Sequence, residues 1–117
     1  MSNPETIIQN KIRLAIGSDP KVVLWRLNQG EFEGADGIPR FYGLSPGASD
    51  LLGIVQGGRW TALEVKTAKG RLSEDQALFL RLVNRRGGYA AVVRSVDEAR
   101  FHVAAAARGD TAPEVIR

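Results

Sequence analysis

The sequence has 117 residues, of which 44% are hydrophobic and 25% are charged, and its formal net charge is +3. This length predicts one domain with one core. The chain has no cysteine and a single histidine, His102, so disulfides and Cys/His zinc sites are excluded. A metal would need oxygen ligands, which favours Mg²⁺ or Mn²⁺. We see no signal peptide and no apolar run of membrane-spanning length, so we expect a cytoplasmic protein without membrane contact.

The N-terminal part predicts a helix, a strand and a long loop. Asn3, followed by proline, is a helix N-cap, and the helix is expected to run to about Ile16 and stop at glycine. The segment 21–28, "KVVLWRLN", is rich in β-branched and aromatic residues and predicts a strand. The glycine-rich segment 29–49 predicts a loop, and a loop of that length in a small domain is typically functional or mobile. We expect Trp25 and Trp60 to be core residues.

The C-terminal part predicts strands that alternate with helices. Two strands flank the glycine pair at 57–58, and the helix "LSEDQALFLRLVNRRGG" opens with a capping-box pattern at Ser73 and Gln76. The run "YAAVVR" predicts a buried strand. Ser95 and Glu98 form a second capping-box pattern and open a helix that ends at Gly109. His102 is expected to be a structural residue of that helix.

These elements predict an α/β fold in the order α-β-β-β-α-β-α, a mixed sheet flanked by helices. We expect one domain over residues 1–109 and a C-terminal tail over residues 110–117.

Three charged residues lie in the hairpin formed by the two central strands, where charges are rare. Glu64 and Lys66 are two positions apart and therefore share one face of their strand. Whether Asp50 joins them depends on the turn, because directly paired residues have a constant sum of numbers. With a two-residue turn the paired numbers sum to 115, and Asp50 does not face Glu64. With a three-residue loop over 56–58 they sum to 114, and Asp50 lies opposite Glu64.

Two carboxylates opposed across a strand pair repel each other unless a cation lies between them. A hard divalent metal would satisfy this requirement. Glu5 is a further acid, and at helical spacing it points between Ile12 and Ile16 on the apolar face of the first helix. It is either a helix-dipole acid of the first turn or a further ligand.

The stretch from residue 66 to residue 100 is basic. It has eight Lys or Arg residues and four acids. The basic residues are Lys66, Lys69, Arg71, Arg81, Arg85, Arg86, Arg94 and Arg100. Such a stretch is either a phosphate-facing surface or a set of solvated helix faces.

The pattern "GASD", followed after 13 residues by "EVK", resembles the PD-(D/E)XK nuclease motif. The surrounding segments "WRLNQG", "SPGASDLLGI", "LEVKTAKGRLSEDQALFL" and "GGYAAVVRS" resemble more specifically the virus-type replication-repair nuclease (VRR-NUC) domain. The resemblance extends from Glu5 to about Ala99 and implies a restriction-endonuclease-like fold. The sequence departs from the superfamily pattern before Asp50, where the usual proline is displaced to Pro46.

The resemblance implies a role for each matching residue. Asp50, Glu64 and the backbone carbonyl of Val65 would ligate Mg²⁺, for which Mn²⁺ is expected to substitute, and Glu5 would be a further ligand, direct or through water. Lys66 would contact the attacking water or the phosphate. Gln76 lies beside the active site in this family, although the capping box explains it equally well. The candidates for contact with DNA phosphates are Lys69, Arg71, Arg81, Arg26 and Arg40.

By this resemblance the chain is a Mg²⁺-dependent endodeoxyribonuclease. Stand-alone copies of the domain resemble phage-encoded DNA repair enzymes that form homodimers and cut branched DNA, including four-way (Holliday) junctions. A dimer also suits a symmetric junction, because one small domain carries one site. The alternatives are a nuclease acting on flap or duplex DNA, and a non-catalytic DNA-binding module. A bacterial cytoplasm is the expected location.

Overall fold

The computed structural model describes residues 3–117 and confirms the predicted class, a mixed sheet flanked by helices. The elements in chain order are α1 (Pro4–Gly17), β1 (Val22–Arg26), β2 (Gly30–Glu33), β3 (Pro39–Tyr42), β4 (Leu51–Val55), β5 (Arg59–Val65), α2 (Glu74–Arg85), β6 (Tyr89–Val93) and α3 (Val96–Arg108). The predicted order differs by one hairpin, β2–β3, which lies in the segment predicted as loop.

The main sheet has four strands in the order β1-β4-β5-β6. The β1–β4 and β4–β5 pairs are antiparallel and the β5–β6 pair is parallel. The parallel pair follows from α2, which carries the chain across the sheet between β5 and β6. The two strands of the β4–β5 hairpin therefore have different outer neighbours, β1 beside β4 and β6 beside β5.

Two apolar layers cover the two faces of this sheet. On one face Leu63 and Val65 of β5 pack with Ile12 of α1 and Val103 of α3. On the other face Ala62 packs with residues of α2, including Ala77 and Leu80. Leu63 and Val65 therefore point into the larger apolar layer. Ala62, Glu64 and Lys66 consequently belong to the face that α2 covers.

The helix ends follow the capping signals of the sequence. The Asn3 side chain accepts a hydrogen bond from the backbone nitrogen of Thr6, and Ser73 and Gln76 form a complete capping box. The second capping box is half formed. Ser95 accepts from the backbone of Glu98, but the Glu98 carboxylate accepts from the backbone nitrogen of Arg94 at 3.1 Å. The Glu98 carboxylate therefore binds the backbone of Arg94, just after the end of β6, and not the backbone of Ser95.

The loop between β4 and β5 has three residues, 56–58, and Gly57 and Gly58 have positive φ angles of 99° and 87°. Leu51 pairs with Leu63 and Val55 pairs with Arg59, so paired numbers sum to 114. Of the two registers open from the sequence, the structure has the one that sets Asp50 opposite Glu64.

The β2–β3 hairpin is a separate ribbon, exposed almost throughout. Gly30 pairs with Tyr42 and Glu33 pairs with Pro39. Because neither face packs on the core, the sequence of this ribbon lacks the alternation that marks a half-buried strand, and the segment was predicted as loop for that reason.

Residues 110–117 have no regular secondary structure and pack on the domain. Val115 is buried in the α2-side layer, and its carbonyl oxygen accepts a hydrogen bond from Nη2 of Arg81 at 3.1 Å. A domain boundary at residue 109 stays a prediction. Within residues 3–117, no helix combines the length and the apolar character that crossing a membrane requires.

Candidate active site

Asp50 lies immediately before β4 and is held by both neighbouring strands. Its backbone oxygen accepts from the backbone nitrogen of Leu27 at 2.9 Å, and its Oδ2 accepts from the backbone nitrogen of Val65 at 2.9 Å. The carboxylate is therefore tied to the end of β5, where the register also brings Glu64. Local backbone pairing alone is enough to bring the two acids together.

Glu64 is a buried acid with only 1% of its surface exposed. Its pKa is raised to about 9. Burial is the largest cause, the charge of Asp50 and a hydrogen bond with that carboxylate also raise the pKa, and the charge of Lys66 lowers it. In the absence of a metal the Glu64 carboxyl is therefore protonated at neutral pH. Its Oε2 is buried and has no hydrogen-bond partner within the described part of the chain.

Lys66 is a buried lysine, 9% exposed, on the same face of the chain as Glu64. Its backbone nitrogen donates to the carbonyl of Val93 at 3.1 Å, which continues the β5–β6 ladder by one residue. A backbone held in this way points the side chain to the face that carries the acids. A lysine is rarely buried unless it is paired, and its influence on the Glu64 pKa shows that the two groups interact.

Glu5 and Gln76 come from two helices on opposite faces of the sheet. The charge of Glu5 raises the pKa of Glu64, the weakest of the influences on that group. Gln76 uses its Oε1 to accept from the backbone of Ser73 at 2.9 Å, which confirms the capping role. No three His, Cys, Asp or Glu side chains among residues 3–117 form a group ready to hold a metal ion, so Glu5 does not join Asp50 and Glu64 in such a group.

Gly47 brings the segment before Asp50 against the start of α2. Its φ angle is +76°, and a Cβ atom there would lie 2.3 Å from the backbone carbon of Asp75. Any side chain at residue 47 would therefore push the two segments apart. This close approach places the beginning of α2, and with it Gln76, beside the segment that leads into Asp50.

The VRR-NUC domain family matches residues 33–97, which is more than half of the chain and includes Asp50, Glu64 and Lys66. The chain belongs to the VRR-NUC family. A solved structure described as a VRR_NUC domain is similar in fold, with a TM-score of 0.62 and 21% sequence identity over 86% of this chain and 94% of the other. A search of curated proteins found no significant match. Membership implies a nuclease of the PD-(D/E)XK type that binds DNA.

VRR-NUC nucleases generally depend on a divalent metal, and the residues of this site fit one. Glu64 has a buried oxygen without a partner, and Asp50 is a second oxygen donor beside it. The N–H and C=O of one residue point to the same side of a strand, so the Val65 carbonyl is directed to the side where Asp50 lies. Hard divalent cations prefer such oxygen ligands.

The five basic residues proposed to contact DNA do not form one cluster in this VRR-NUC domain. Lys69 and Arg71 are exposed in the loop after β5 and line a common cavity. Arg26 is exposed at the end of β1, opposite Leu51 and so close in register to Asp50. Arg81 is engaged with the carbonyl of Val115. Arg40 lies on the exposed ribbon, where it pairs with Asp36 at 2.5 Å.

Two glutamines with a buried, unpartnered side-chain oxygen were missed by the sequence interpretation, and one of them, Gln29, lies near the site. Gln9 is 7% exposed and Gln29 is half-buried, and the Oε1 atom of each is buried without a partner among the described residues. Gln29 lies beyond the end of β1 and donates through Nε2 to the carbonyl of Ala48 at 2.6 Å. The signal for Gln9 was its helical spacing: it lies four residues after Glu5, on the same face of α1.

The prediction that Trp25 and Trp60 are core residues was wrong. They are 47% and 49% exposed, and their ring centroids lie 6.5 Å apart. The two strands place them on the α2 side of the sheet beyond the part that α2 covers. By contrast, His102 has a structural contact within the domain, since its Nδ1 lies 2.6 Å from the hydroxyl of Tyr89.

Proposed function

We propose that this chain is a Mg²⁺-dependent endodeoxyribonuclease that hydrolyses phosphodiester bonds, and that Mn²⁺ substitutes for Mg²⁺. The observation that carries the proposal is the pairing of half-buried Asp50 with buried Glu64, with an unpartnered Glu64 oxygen and a buried lysine at the same place. A fold gains nothing in stability from an acid pair of this kind without a cation. A divalent cation and a phosphate would account for all three charges.

Asp50, Glu64 and the carbonyl oxygen of Val65 are the proposed metal ligands, and Glu5 is proposed as a further ligand, direct or through water. When bound, a divalent cation activates water and neutralises charge on a phosphate. Glu64 must lose its proton to ligate the ion, so metal binding is expected to release a proton and to strengthen with pH. The hydrogen bond from Val65 keeps Asp50 in place throughout.

Lys66 is proposed to stabilise the negative charge that gathers on the phosphate in the transition state. Its ammonium group is a compact point charge, and low exposure keeps that charge from being screened by water. Gln76 is proposed to contact the substrate through its side-chain nitrogen, because its oxygen already caps α2. Lys66 therefore has the larger proposed role and Gln76 the smaller one.

The proposed substrate is branched DNA, with four-way junctions as the leading case, and the proposed assembly is a homodimer. A symmetric junction needs two incisions, which two copies of one site can supply. An exposed apolar strip over β1, β5 and α2, formed by Val23, Trp25, Trp60 and Leu82, supports self-association. We further propose a role in DNA repair in a bacterial cytoplasm, for a protein of the phage-encoded type.

Two alternatives lead to different experiments. Flap or duplex DNA would be cut by the same chemistry, so only a comparison of substrates separates them from junctions. A non-catalytic DNA-binding module has no use for a buried carboxyl group with a second one beside it, since phosphate binding needs cations. The acid pair favours the enzyme for that reason.

The proposal is tested with a panel of one sequence built as a four-way junction, a 5′ flap, a 3′ flap and a duplex, incubated with Mg²⁺, Mn²⁺ or EDTA. We expect metal-dependent strand cleavage, fastest on the junction. Asp50→Asn is the matched negative control, because an amide oxygen can still accept from Val65. Metal-dependent binding without any cleavage would favour the binding module, and faster cleavage of flap or duplex would replace the junction as substrate.

A further inference from the structure

A cluster of positively charged side chains lies at the same end of the sheet as the acid pair. A cavity of about 480 Å³ opens there, and the residues that line it include Lys69, Arg71, Arg94 and Arg117. No acidic residue is among the described residues that line this cavity, which we term the basic cavity. Four cations around one open space repel each other, and an anion would relieve that repulsion.

Arg94 gives the basic cavity a fixed wall. Its Nη1 donates to the carbonyl of Thr67 and, at 2.9 Å, to the carbonyl of Gly70. These bonds hold the side chain in place and also hold the loop that follows Lys66. A guanidinium has five N–H donors in a rigid fork, so Nη2 and Nε keep donors for a further acceptor. Phosphate oxygens match that fork geometry.

Arg117 reaches the basic cavity because the segment before it is anchored. Val115 is buried in the α2-side layer and its carbonyl is bound by Arg81, while Nε of Arg117 lies 3.5 Å from the carbonyl of Leu72. The guanidinium thus extends along the same loop that carries Lys69 and Arg71. The cavity is built from three separate segments that converge on one place.

The position of the basic cavity relates it to the strand of DNA in the active site. Val65 pairs with Val93, so Lys66 and Arg94 are the next residues of two adjacent parallel strands. The loop 67–70 continues directly from Lys66. A phosphate in the cavity would therefore belong to the same stretch of backbone as a phosphate beside Lys66, and not to a distant part of the duplex.

We infer that the basic cavity binds an internal phosphate diester of the DNA strand being cut, at a position flanking the scissile phosphate. This inference rests on the proposed function and adds two residues to the DNA contacts, Arg94 and Arg117. Arg94 acts by positioning the loop and by offering donors, and Arg117, Arg71 and Lys69 contribute exposed charge. Contacts of this type fix the register of the strand and carry no sequence information.

The test measures DNA affinity separately from cleavage. Binding of a fluorescein-labelled junction is followed by anisotropy in the Lys66→Met background, which keeps the DNA intact, over a range of salt concentrations. We expect Arg117→Ala and Arg71→Ala each to weaken binding about tenfold and to lower the salt dependence by about one released counterion. Arg108→Ala is the matched control, because this exposed arginine of α3 pairs with Asp110 and lies outside the cavity. Its affinity should equal that of the parent.

A scan with methylphosphonate, which removes the charge of one phosphate at a time, identifies the bound group. At one position that flanks the cut, neutralising the phosphate should cost the parent affinity and cost Arg117→Ala little more. The inference would be overturned if the affinity loss from Arg117→Ala and the loss from methylphosphonate were additive at every DNA position. It would also be overturned if Arg117→Ala bound DNA as tightly as the parent. An effect that needs a 5′-terminal phosphate would overturn the assignment to an internal diester. If the wild-type protein does not cleave DNA, the proposed function fails while the affinity measurements still decide on the cavity.

Discussion

The two ends of one face of β5 differ in solvent exposure, and the difference is the reverse of what the hydrophobicity of their side chains predicts. At the beginning of the strand Trp60 is half exposed and lies against the half-exposed Trp25, while four and six residues later Glu64 and Lys66 are buried. Apolar side chains normally lie inside and charged ones outside. The reversal shows that α2 and the segment before Asp50 cover the charges rather than the tryptophans. Each end is therefore a place where the fold forgoes stability.

The charged end is the more sensitive to substitution, and Asp50→Ala is the most severe change we predict. It removes a proposed metal ligand together with the acceptor for the backbone of Val65. We expect calorimetry to detect no binding of Mg²⁺ or Mn²⁺ and a nicking assay to detect no cleavage. Asp97→Ala, at an exposed acid of α3, is the control. If Asp50→Ala binds metal at full strength, the assignment of Asp50 as a ligand is wrong.

Lys66→Met sharpens the comparison, because it removes a charge from the same end without removing a ligand. We expect cleavage to fall by hundredfold or more, which corresponds to a loss of about 3–4 kcal/mol of transition-state stabilisation. Metal binding by calorimetry and DNA binding by anisotropy should stay close to wild type. Lys11→Met, at an exposed lysine of α1 that has no proposed role, provides the control. Cleavage by Lys66→Met at a rate near wild type would contradict the role of Lys66.

The instability of the charged end should depend on pH. The pKa of Glu64 is raised from 4.5 to about 9, so between these values the folded state holds a proton that the unfolded chain has lost. This contribution to stability is present at low pH and is lost as pH rises towards 9. In EDTA we expect Glu64→Gln to melt at a higher temperature than wild type at pH 8.5 and at nearly the same temperature at pH 4.

Wild type with saturating Mg²⁺ is the companion measurement, and there the advantage of Glu64→Gln should disappear because the ion stabilises only the wild-type site. An equal difference between the two proteins at pH 4 and pH 8.5 would show that the buried proton is absent.

A substitution at the tryptophan end should weaken dimer formation but leave the folding stability of the domain nearly unchanged. We expect Trp60→Ser to shift the mass measured by light scattering from a dimer towards the 12.7 kDa monomer, while the melting temperature changes little because the side chain is half exposed. Leu14→Ser, at an exposed leucine of α1, is the control. A wild-type protein that is already a 12.7 kDa monomer at assay concentration would exclude the dimer.

Local signals predicted most of the charged end. The helix caps at Asn3 and Ser73 depend on three or four consecutive residues, and the pairing of Asp50 with Glu64 depends on the length of one turn. Such features are visible in a sequence because they arise from neighbours in the chain. The roles of these residues in metal binding and cleavage stay predictions.

The tryptophan end was mispredicted because exposure depends on tertiary packing. Strand propensity places Trp25 and Trp60 in β1 and β5, but only the position of α2 decides whether that part of the sheet is covered. The β2–β3 ribbon was missed for a related reason, since both of its faces lie in solvent. Gln9 was overlooked because its unpartnered oxygen is a property of the packed helix rather than of the sequence.

The two neighbouring tryptophans also make the protein its own optical reporter. Trp25 and Trp60 are the only tryptophans in the sequence, and both lie on the same exposed strip. Four residues of strand, about 13 Å, separate Trp60 from Glu64. Intrinsic emission therefore comes from one known surface, and it should shift to shorter wavelength when a second molecule covers that surface. Unlabelled protein in dilute solution can in this way reveal which of its two ends a binding partner has occupied.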